Sequence, residues 1–364
     1  MLKILDRYIA DRFLKAFLIS LGVLIIVPVL VDIIEHVDYF IDRGANPLAV
    51  AKYYFFYLPY FLTFTIPVAS LLSTLFSLGI LNKNNEITAM KASGASLYRI
   101  FLPVFGTAIL VSILAFLNEE QLKPPALEEK SRIKQEEIEG QKQKETDRFY
   151  NIFAQGDKGW VYHFNIFDSR EKTGYQALLQ RFEGDKLKEQ IEAEKMTYQK
   201  PVWVLENGRY RTFLGDTLSP RQEQVESFQR LVKFDLNVKP ELFVSKAKHP
   251  DQMNFQELYR YVKTKSKSGV EVSKELVQLH MKIAFPLASF IIVLFGAPLA
   301  ALPRRSGLAF SFGATLIISF VYYVLLKLGQ SLGYNEKLPP ALAAWMGNIV
   351  FGFLGLVILF RSRK

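Results

Sequence analysis

Chemistry in a polypeptide begins with nucleophiles, bases, metal ligands and phosphate cradles, and this sequence is poor in all of them. It has no cysteine, which excludes a thiolate nucleophile, a disulfide framework and a Cys-based zinc site. Its four histidines (His36, His163, His249, His280) are scattered, with no pair at i, i+4 spacing, so a His-based metal site would have to assemble from distant segments. No G-x-x-x-x-G-K-[ST] run cradles a nucleotide phosphate, and no H-E-x-x-H, G-x-S-x-G or intramembrane Asp pair points to proteolysis. Ser93 and Ser96 have no histidine nearby to act as base. The chain is expected not to be an enzyme by itself, and to hold no cofactor or metal.

One short segment does carry chemistry: Asn82-Lys83-Asn84-Asn85-Glu86-Ile87-Thr88-Ala89-Met90-Lys91-Ala92-Ser93-Gly94. Asn84 or Asn85 can cap a helix by accepting a bond from a free backbone N–H. Glu86 complements the positive end of the helix dipole, Lys91 the negative end, and Gly94 can take the left-handed position after the last turn. Ile87 and Met90 project on one side of a helix only two to three turns long. Such a helix suits docking of a soluble motor protein; an interfacial turn with no partner is the alternative.

The elements that must position this loop are apolar. Half of the 364 residues are hydrophobic. A bilayer core about 30 Å thick needs roughly 20 apolar residues in a helix. Six stretches meet that demand, at about 13–34, 53–81, 100–117, 283–302, 308–326 and 341–360. Pro28, Pro59, Pro67, Pro286 and Pro298 lie inside them, where neighbouring helices can satisfy the backbone groups that proline frees. Their central parts carry no ionisable residue, which argues against an ion-driven secondary transporter.

Charge sets the orientation. Between Glu119 and Glu275 there are 28 basic and 27 acidic residues, so nearly all of the net charge of +10 flanks the apolar runs. That excess reads as membrane-topology charge, and nucleic acid is not expected as a partner. With the N-terminus in the cytoplasm, the inner flanks hold Lys3, Arg7, Arg12, Lys15, Lys83, Lys91, Arg99, Arg304, Arg305, Arg361, Arg363 and Lys364. The opposite short loops hold only Arg43, Lys52, Lys327 and Lys337. Both termini are therefore expected inside and the long segment between spans three and four outside. No cleavable signal peptide is visible. The opening Met1–Phe13 places Leu2, Leu5, Ile9 and Phe13 on one face, as a short interfacial helix or as a plain extension of span one.

The insertion divides into a charged connector (119–146), a β region (147–245) and a helix (251–280) that feeds span four. In Trp160–Ile166, Trp160, Tyr162, Phe164 and Ile166 alternate onto one strand face. Further strands are predicted at Tyr175–Phe182, Lys188–Gln199, Val202–Leu205, Gly208–Leu214 and Leu231–Val238. Turns are placed at Glu183-Gly184-Asp185, Asn207-Gly208 and Ser219-Pro220. This pattern favours a sandwich or jellyroll. The expected fold is a six-helix membrane bundle with an inserted all-β domain, divided at 1–118, 119–280 and 281–364.

LDRYIADRFLKAF at the start, NNEITAMKASGAS in the loop and LHMKIAFPLASFIIVLFGAPLA at span four together resemble the lipopolysaccharide-export permease family, LptF/LptG. The resemblance runs end to end, and the start and residues 251–280 look more like the LptG branch. It implies a multi-pass inner-membrane permease paired with a paralogous permease. It also implies cytoplasmic ATPase subunits that use ATP and Mg, and periplasmic jellyroll proteins that accept the lipopolysaccharide. By the same resemblance Glu86, with Ile87, Met90 and Lys91, forms an ATPase-coupling helix. Spans one and five would be gate elements, and Trp160, Tyr162, Phe164 and Ile166 would line a jellyroll interior that receives acyl chains; a plain sandwich core explains the same four residues.

One stretch departs from the family. LptG-like chains carry lysines at the outer end of span one, whereas here Asp32, Glu35, Asp38 and Asp42 accompany a single Arg43. An acidic rim repels phosphorylated lipid unless divalent cations bridge it, the partner supplies cations, or the substrate has few phosphates. Arg43 and Lys52 are the local candidates for a headgroup contact. A membrane-anchored scaffold with a periplasmic β domain and no transport activity is the second reading, but a scaffold has no need of a capped helix facing a partner.

Overall fold

The computed structural model describes residues 4–140, 148–156, 159–183, 186–213, 223–233, 236, 238–240, 243, 250–267, 271–301 and 308–361. The expected turns at Gly184-Asp185 and Ser219-Pro220, and the flanking charges Lys3, Arg304, Arg305, Arg363 and Lys364, lie outside the described residues. The chain forms two units, Met1–Gly140 with Ser273–Lys364, and Gln141–Val272. The boundaries expected at 118/119 and 280/281 move to 140/141 and 272/273, because helices continue past the apolar runs.

Among the described residues, the first unit contains six helices long and apolar enough to cross a membrane. They are α1 (Ile4–Asp42), α2 (Pro47–Lys83), α4 (Leu97–Leu117), α7 (Ser273–Ala300), α8 (Leu308–Tyr334) and α9 (Pro340–Arg361). The short α3 (Glu86–Ala92) lies between α2 and α4. From Ile4 on, the opening residues are continuous with α1, and Ile9 and Phe13 are fully buried in the bundle. Asn46 caps α2 by accepting from Leu48 N at 2.9 Å, with Pro47 at the first position, where its missing N–H costs nothing. Buried side chains bridge helices close to the interior prolines: Asn118 Nδ2 donates to Pro59 O at 2.9 Å, and Asn348 Nδ2 to Ala284 O at 2.6 Å.

Burial ranks the helices. The most apolar stretch of α2 is 72% buried and that of α7 61%, against 11% for α1 and 28% for α8. The first pair is the centre of the bundle, and the second pair presents its apolar residues outward.

The charged connector is not a separate solvated element. Past Leu117 the helix runs through a π turn (Asn118–Leu122), α5 (Lys123–Ile133) and a second π turn (Lys134–Ile138). The 42 residues from Leu97 to Ile138 reach about 63 Å at 1.5 Å per residue, roughly twice the bilayer core. Its polar sequence misleads at its start, where Glu119 and Lys123 are paired inside, whereas Glu128, Arg132 and Glu137 farther along are exposed. Lys123 Nζ lies 2.7 and 2.9 Å from the two Glu119 oxygens, Lys282 Nζ lies 3.6 Å from Glu119, and all three side chains are at most 10% exposed.

The second unit holds a six-stranded antiparallel sheet in simple meander order: β1 (Arg148–Gln155), β2 (Trp160–Asp168), β3 (Thr173–Glu183), β4 (Lys186–Gln199), β5 (Val202–Phe213) and β6 (Glu223–Lys233). The turn expected at Asn207-Gly208 is instead the middle of β5. Glu206 pairs with Lys195 and Gly208 with Ala193, so the left-handed Asn207 (φ 49°) bends the strand without reversing it. Glycine is required next, since a Cβ at 208 would lie 2.1 Å from Glu192 O. The reversal comes earlier, at Lys200-Pro201, and the predicted strand at Leu231 is the end of β6. A helix, α6 (Phe255–Lys267), follows.

Candidate functional site

The loop predicted to carry chemistry is a helix of two turns, too short to be stable alone and held by its surroundings. Its start departs from expectation: Asn85 occupies the cap in the left-handed region (φ 59°) and makes no side-chain cap bond. Its end is as predicted. Gly94 (φ 90°) donates to Lys91 O and Ala95 to Met90 O, at 2.9 and 3.0 Å, the paired bonds of a Schellman motif.

Glu86 accepts a hydrogen bond from the Tyr8 hydroxyl at 2.8 Å, and Asn84 Nδ2 lies 3.3 Å from its other oxygen. Arg12 donates to the Tyr8 oxygen at 3.0 Å, with its guanidinium 5.2 Å from the ring centroid. Ile87 and Met90 correct the prediction. Ile87 is buried and Met90 packs beside it, in one cluster with Ile9, Phe13, Ile100 and Phe101. They anchor α3 to its own bundle, burial of an aliphatic side chain being worth about 1.5–3 kcal/mol. The exposed face is Thr88, Ala89, Lys91 and Ala92. Asp6 and Arg99, paired at 2.7 Å, join α1 to the first turn of α4.

At the opposite end of α1 the two sequence candidates part company. Lys52 is spoken for by Glu137 at 3.1 Å. Arg43 stacks on Tyr39, 4.0 Å from the ring centroid. Asp32 is turned inward and accepts from Tyr54 at 2.8 Å, which leaves Glu35, Asp38 and Asp42 exposed. The structure adds two cations that sequence reasoning missed. Lys130 stands 3.2 Å from the Tyr57 ring centroid and 4.9 Å from that of Tyr53, and Lys134 lies 5.2 Å from that of Tyr39. Nothing local in the sequence brings them to α1 and α2. The available signal was the run of tyrosines at 53, 54, 57 and 60, a helical stripe of π faces suited to ammonium groups.

In the sheet, Trp160, Tyr162 and Phe164 lie in the core as expected, each at most 1% exposed. Ile166 does not; Phe167 takes its place, because the alternation slips across Asn165 where left-handed Gln176 (φ 50°) lies alongside. Phe243 fills the same core, its ring 4.8–5.5 Å from Phe164, Phe167 and Tyr162, and Trp203 Nε1 donates to Val238 O at 2.8 Å. On the opposite sheet face His163 stacks on Phe153 at 4.2 Å, with Tyr261 and Lys265 of α6 against the same ring. Burial, and then the Lys265 ammonium, hold the imidazole below its ordinary pKa. Glu189 accepts from Arg181 and Tyr210, both at 2.6 Å, and from Lys233 at 3.3 Å. Burial alone would raise its carboxyl, but Tyr210, Lys233 and Arg181 outweigh it and hold it low. Among the described residues no group of three or more His, Asp or Glu is placed to hold a metal ion.

Residues 7–361 match the family described as lipopolysaccharide export system permease LptF/LptG. The chain belongs to that family. It is 22% identical over 370 residues to the lipopolysaccharide export system permease protein LptG of Escherichia coli K12, covering 99% of this chain and 98% of that one; the LptG of Escherichia coli O6:H1 matches at the same identity and coverage. An LptF/LptG permease is a multi-pass membrane component of a lipopolysaccharide exporter and is non-catalytic itself. Within this LptF/LptG chain Glu86 is met by Tyr8 and Asn84, Ile87 and Met90 face the bundle, Lys91 is exposed, and Arg43 and Lys52 lie against different partners, Tyr39 and Glu137.

Proposed function

We propose that the chain is the permease subunit of an ATP-driven exporter that extracts lipopolysaccharide from the inner membrane and passes it to a periplasmic bridge of jellyroll proteins. ATP and Mg are used by cytoplasmic ATPase subunits, and a paralogous permease completes the membrane pair. One observation carries the reading: the family match extends from residue 7 to residue 361, across both trios of spans and the inserted sheet. Both termini and α3 are cytoplasmic in this reading and the sheet is periplasmic, in line with the Lys/Arg bias of the short loops.

Glu86 meets a basic group of the ATPase. Its carboxylate sits beside the exposed face of α3, and a charge-assisted bond there transmits a rigid-body push. Lys91 is the exposed cation of the same face. The headgroup phosphates meet Arg43, Lys130 and Lys134, which rest on tyrosine rings; Lys52, already paired, contributes little. Acyl chains entering the sheet would meet Trp160, Tyr162 and Phe164.

The test is to purify the tagged chain from mild-detergent membranes and identify by mass spectrometry what accompanies it. A related permease and a soluble ATPase are expected. Glu86→Ala should lower ATPase recovery about 10–100-fold, the loss of a hydrogen bond to a charged group costing about 1.5–3 kcal/mol, while membrane insertion is unchanged. A chain recovered alone, or with periplasmic proteins only, in several detergents would replace the exporter with a scaffold.

A further inference from the structure

The geometry points to Tyr8 as the residue that positions Glu86 and makes α3 and the first turns of α1 move as one body. This rests on the coupling role proposed for Glu86.

Three observations converge on it. Tyr8 donates to Glu86 Oε2 at 2.8 Å across 78 residues of sequence, so the bond joins two separate helices. The Tyr8 oxygen in turn accepts from Arg12 Nη2 at 3.0 Å, and the same guanidinium lies 5.2 Å from the Tyr8 ring. The hydroxyl therefore has one proton to give and one direction to give it, with Arg12 filling the acceptor side and Glu86 the donor side. Below this polar relay the apolar contacts are shared: Ile9 and Phe13 of α1, Ile87 of α3, and Ile100, Phe101 and Val104 of α4 form one buried cluster. Asp6 and Arg99, 2.7 Å apart, close the third side.

The consequence is mechanical. Beyond these turns α1 is the least buried of the six spans, 11% over its most apolar stretch, and its inward side packs on α2 through Phe40, Tyr53 and Tyr54 and the Tyr54–Asp32 bond. A packed cluster shifts as a unit rather than deforming. A push on α3 reaches α1 through the Tyr8–Glu86 bond and through the shared cluster, to which Leu78 and Leu81 of α2 and Val293 and Ala297 of α7 also belong. Among the described residues, the Glu86 oxygen not used by Tyr8 accepts from Asn84 Nδ2 at 3.3 Å, and it is the lobe left for an incoming cation.

Tyr8→Phe removes the hydroxyl and keeps the ring that Arg12 covers. The complex of this chain with its permease partner and ATPase, reconstituted in proteoliposomes with lipopolysaccharide, gives two readouts: lipid released and ATP hydrolysed. The expected result is an ATPase still recovered with the complex and a ratio of lipid released to ATP hydrolysed about tenfold lower, as befits one lost charge-assisted bond. An unchanged ratio would overturn the proposal. So would loss of the ATPase along with transport, because Tyr8 would then merely shape the docking helix. A cycle with Glu86→Gln guards against a folding defect. If Tyr8 acts through Glu86, the double variant lowers the ratio no further than the worse single one; additive losses would sink the idea. An unmodified chain that recovers no ATPase at all refutes the function reading and this proposal with it, a result distinct from a normal ratio in the Tyr8 variant.

Discussion

At its first turns α1 is fixed by directed bonds, Tyr8 to Glu86 and Asp6 to Arg99, set over Ile9, Phe13 and Ile87. At its last turns it meets tyrosine rings and cations: Arg43 and Lys134 on Tyr39, and Lys130 on Tyr53 and Tyr57. At the first end Asp6 has Arg99 as its partner, and Glu86 and Arg12 meet on the Tyr8 hydroxyl. At the second end the cations rest on π faces worth about 0.5–2 kcal/mol each, less than a carboxylate or phosphate offers. Tight pairing suits a contact that must pass on a displacement. Cushioned cations suit a site that must exchange its partner for an anionic one and give it back.

The largest effect is expected where pairing and burial combine. Glu119 neutralises Lys123 and Lys282 inside the bundle, with Thr63 donating to it at 3.2 Å. Glu119→Gln removes the carboxylate that both buried ammonium groups share, leaving Lys282 with the field of Glu120, and should cost about 3–5 kcal/mol, read as lower yield and a lower melting temperature in detergent. Changing Lys123 and Lys282 to Met in the same chain should recover most of that loss, since an apolar replacement of a buried ion network is often neutral. If Glu119→Gln melts like the unmodified protein, that network does not hold the bundle together, and burial does not strengthen a directed pair as the comparison requires.

A smaller effect is expected from the cushioned cations. Arg43→Gln, Lys130→Gln and Lys134→Gln should each lower lipopolysaccharide loading about fivefold, on the scale of roughly 1 kcal/mol per basic residue at an anionic lipid surface. ATPase recovery should not change. Lys52→Gln is the control, because Glu137 already meets its charge at 3.1 Å. Equal losses for Lys52 and Lys130 would show that the rings make no difference, and a fall in ATPase recovery would show that the two ends are not separable.

Much of this was legible before any coordinates. Spans were visible because an apolar helix in lipid needs a continuous apolar run, and the sheet because Trp160, Tyr162 and Phe164 alternate. Boundaries were hidden wherever a local signal had a distant partner. Residues 119–146 read as a solvated connector because they are densely charged, and only the fold reveals that Glu119 neutralises Lys123 and Lys282. Asn207-Gly208 reads as a turn because the same left-handed backbone serves both a hairpin and a bend in a continuing strand. Ile87 and Met90 share a helix face in the sequence, but which way that face looks depends on Ile9 and Phe101, fixed by tertiary packing. Tyr8 carried no signal of its own, since a tyrosine near a membrane interface has many ordinary uses.

The smallest effect sharpens the comparison in the sheet, where a titratable ring rather than a fixed charge lies on an aromatic face. His163 stacks on Phe153 with Lys265 near the same ring, and burial and that ammonium both favour the neutral imidazole. A group whose folded pKa lies below its ordinary 6.5 takes its proton more readily when unfolded. Its contribution to stability is therefore complete above pH 6.5 and is lost progressively as pH falls below it. Amide exchange in β1 and β2 of the full-length protein, corrected for intrinsic rates, should quicken on going from pH 7 to 5. His163→Phe keeps a flat ring against Phe153 and cannot take up a proton, so its exchange should be level over the same range. If the variant shows the same pH dependence as the unmodified protein, the sensitivity belongs to carboxylates such as Glu189, and the ring of Phe153 holds His163 no differently from any other side chain of the sheet.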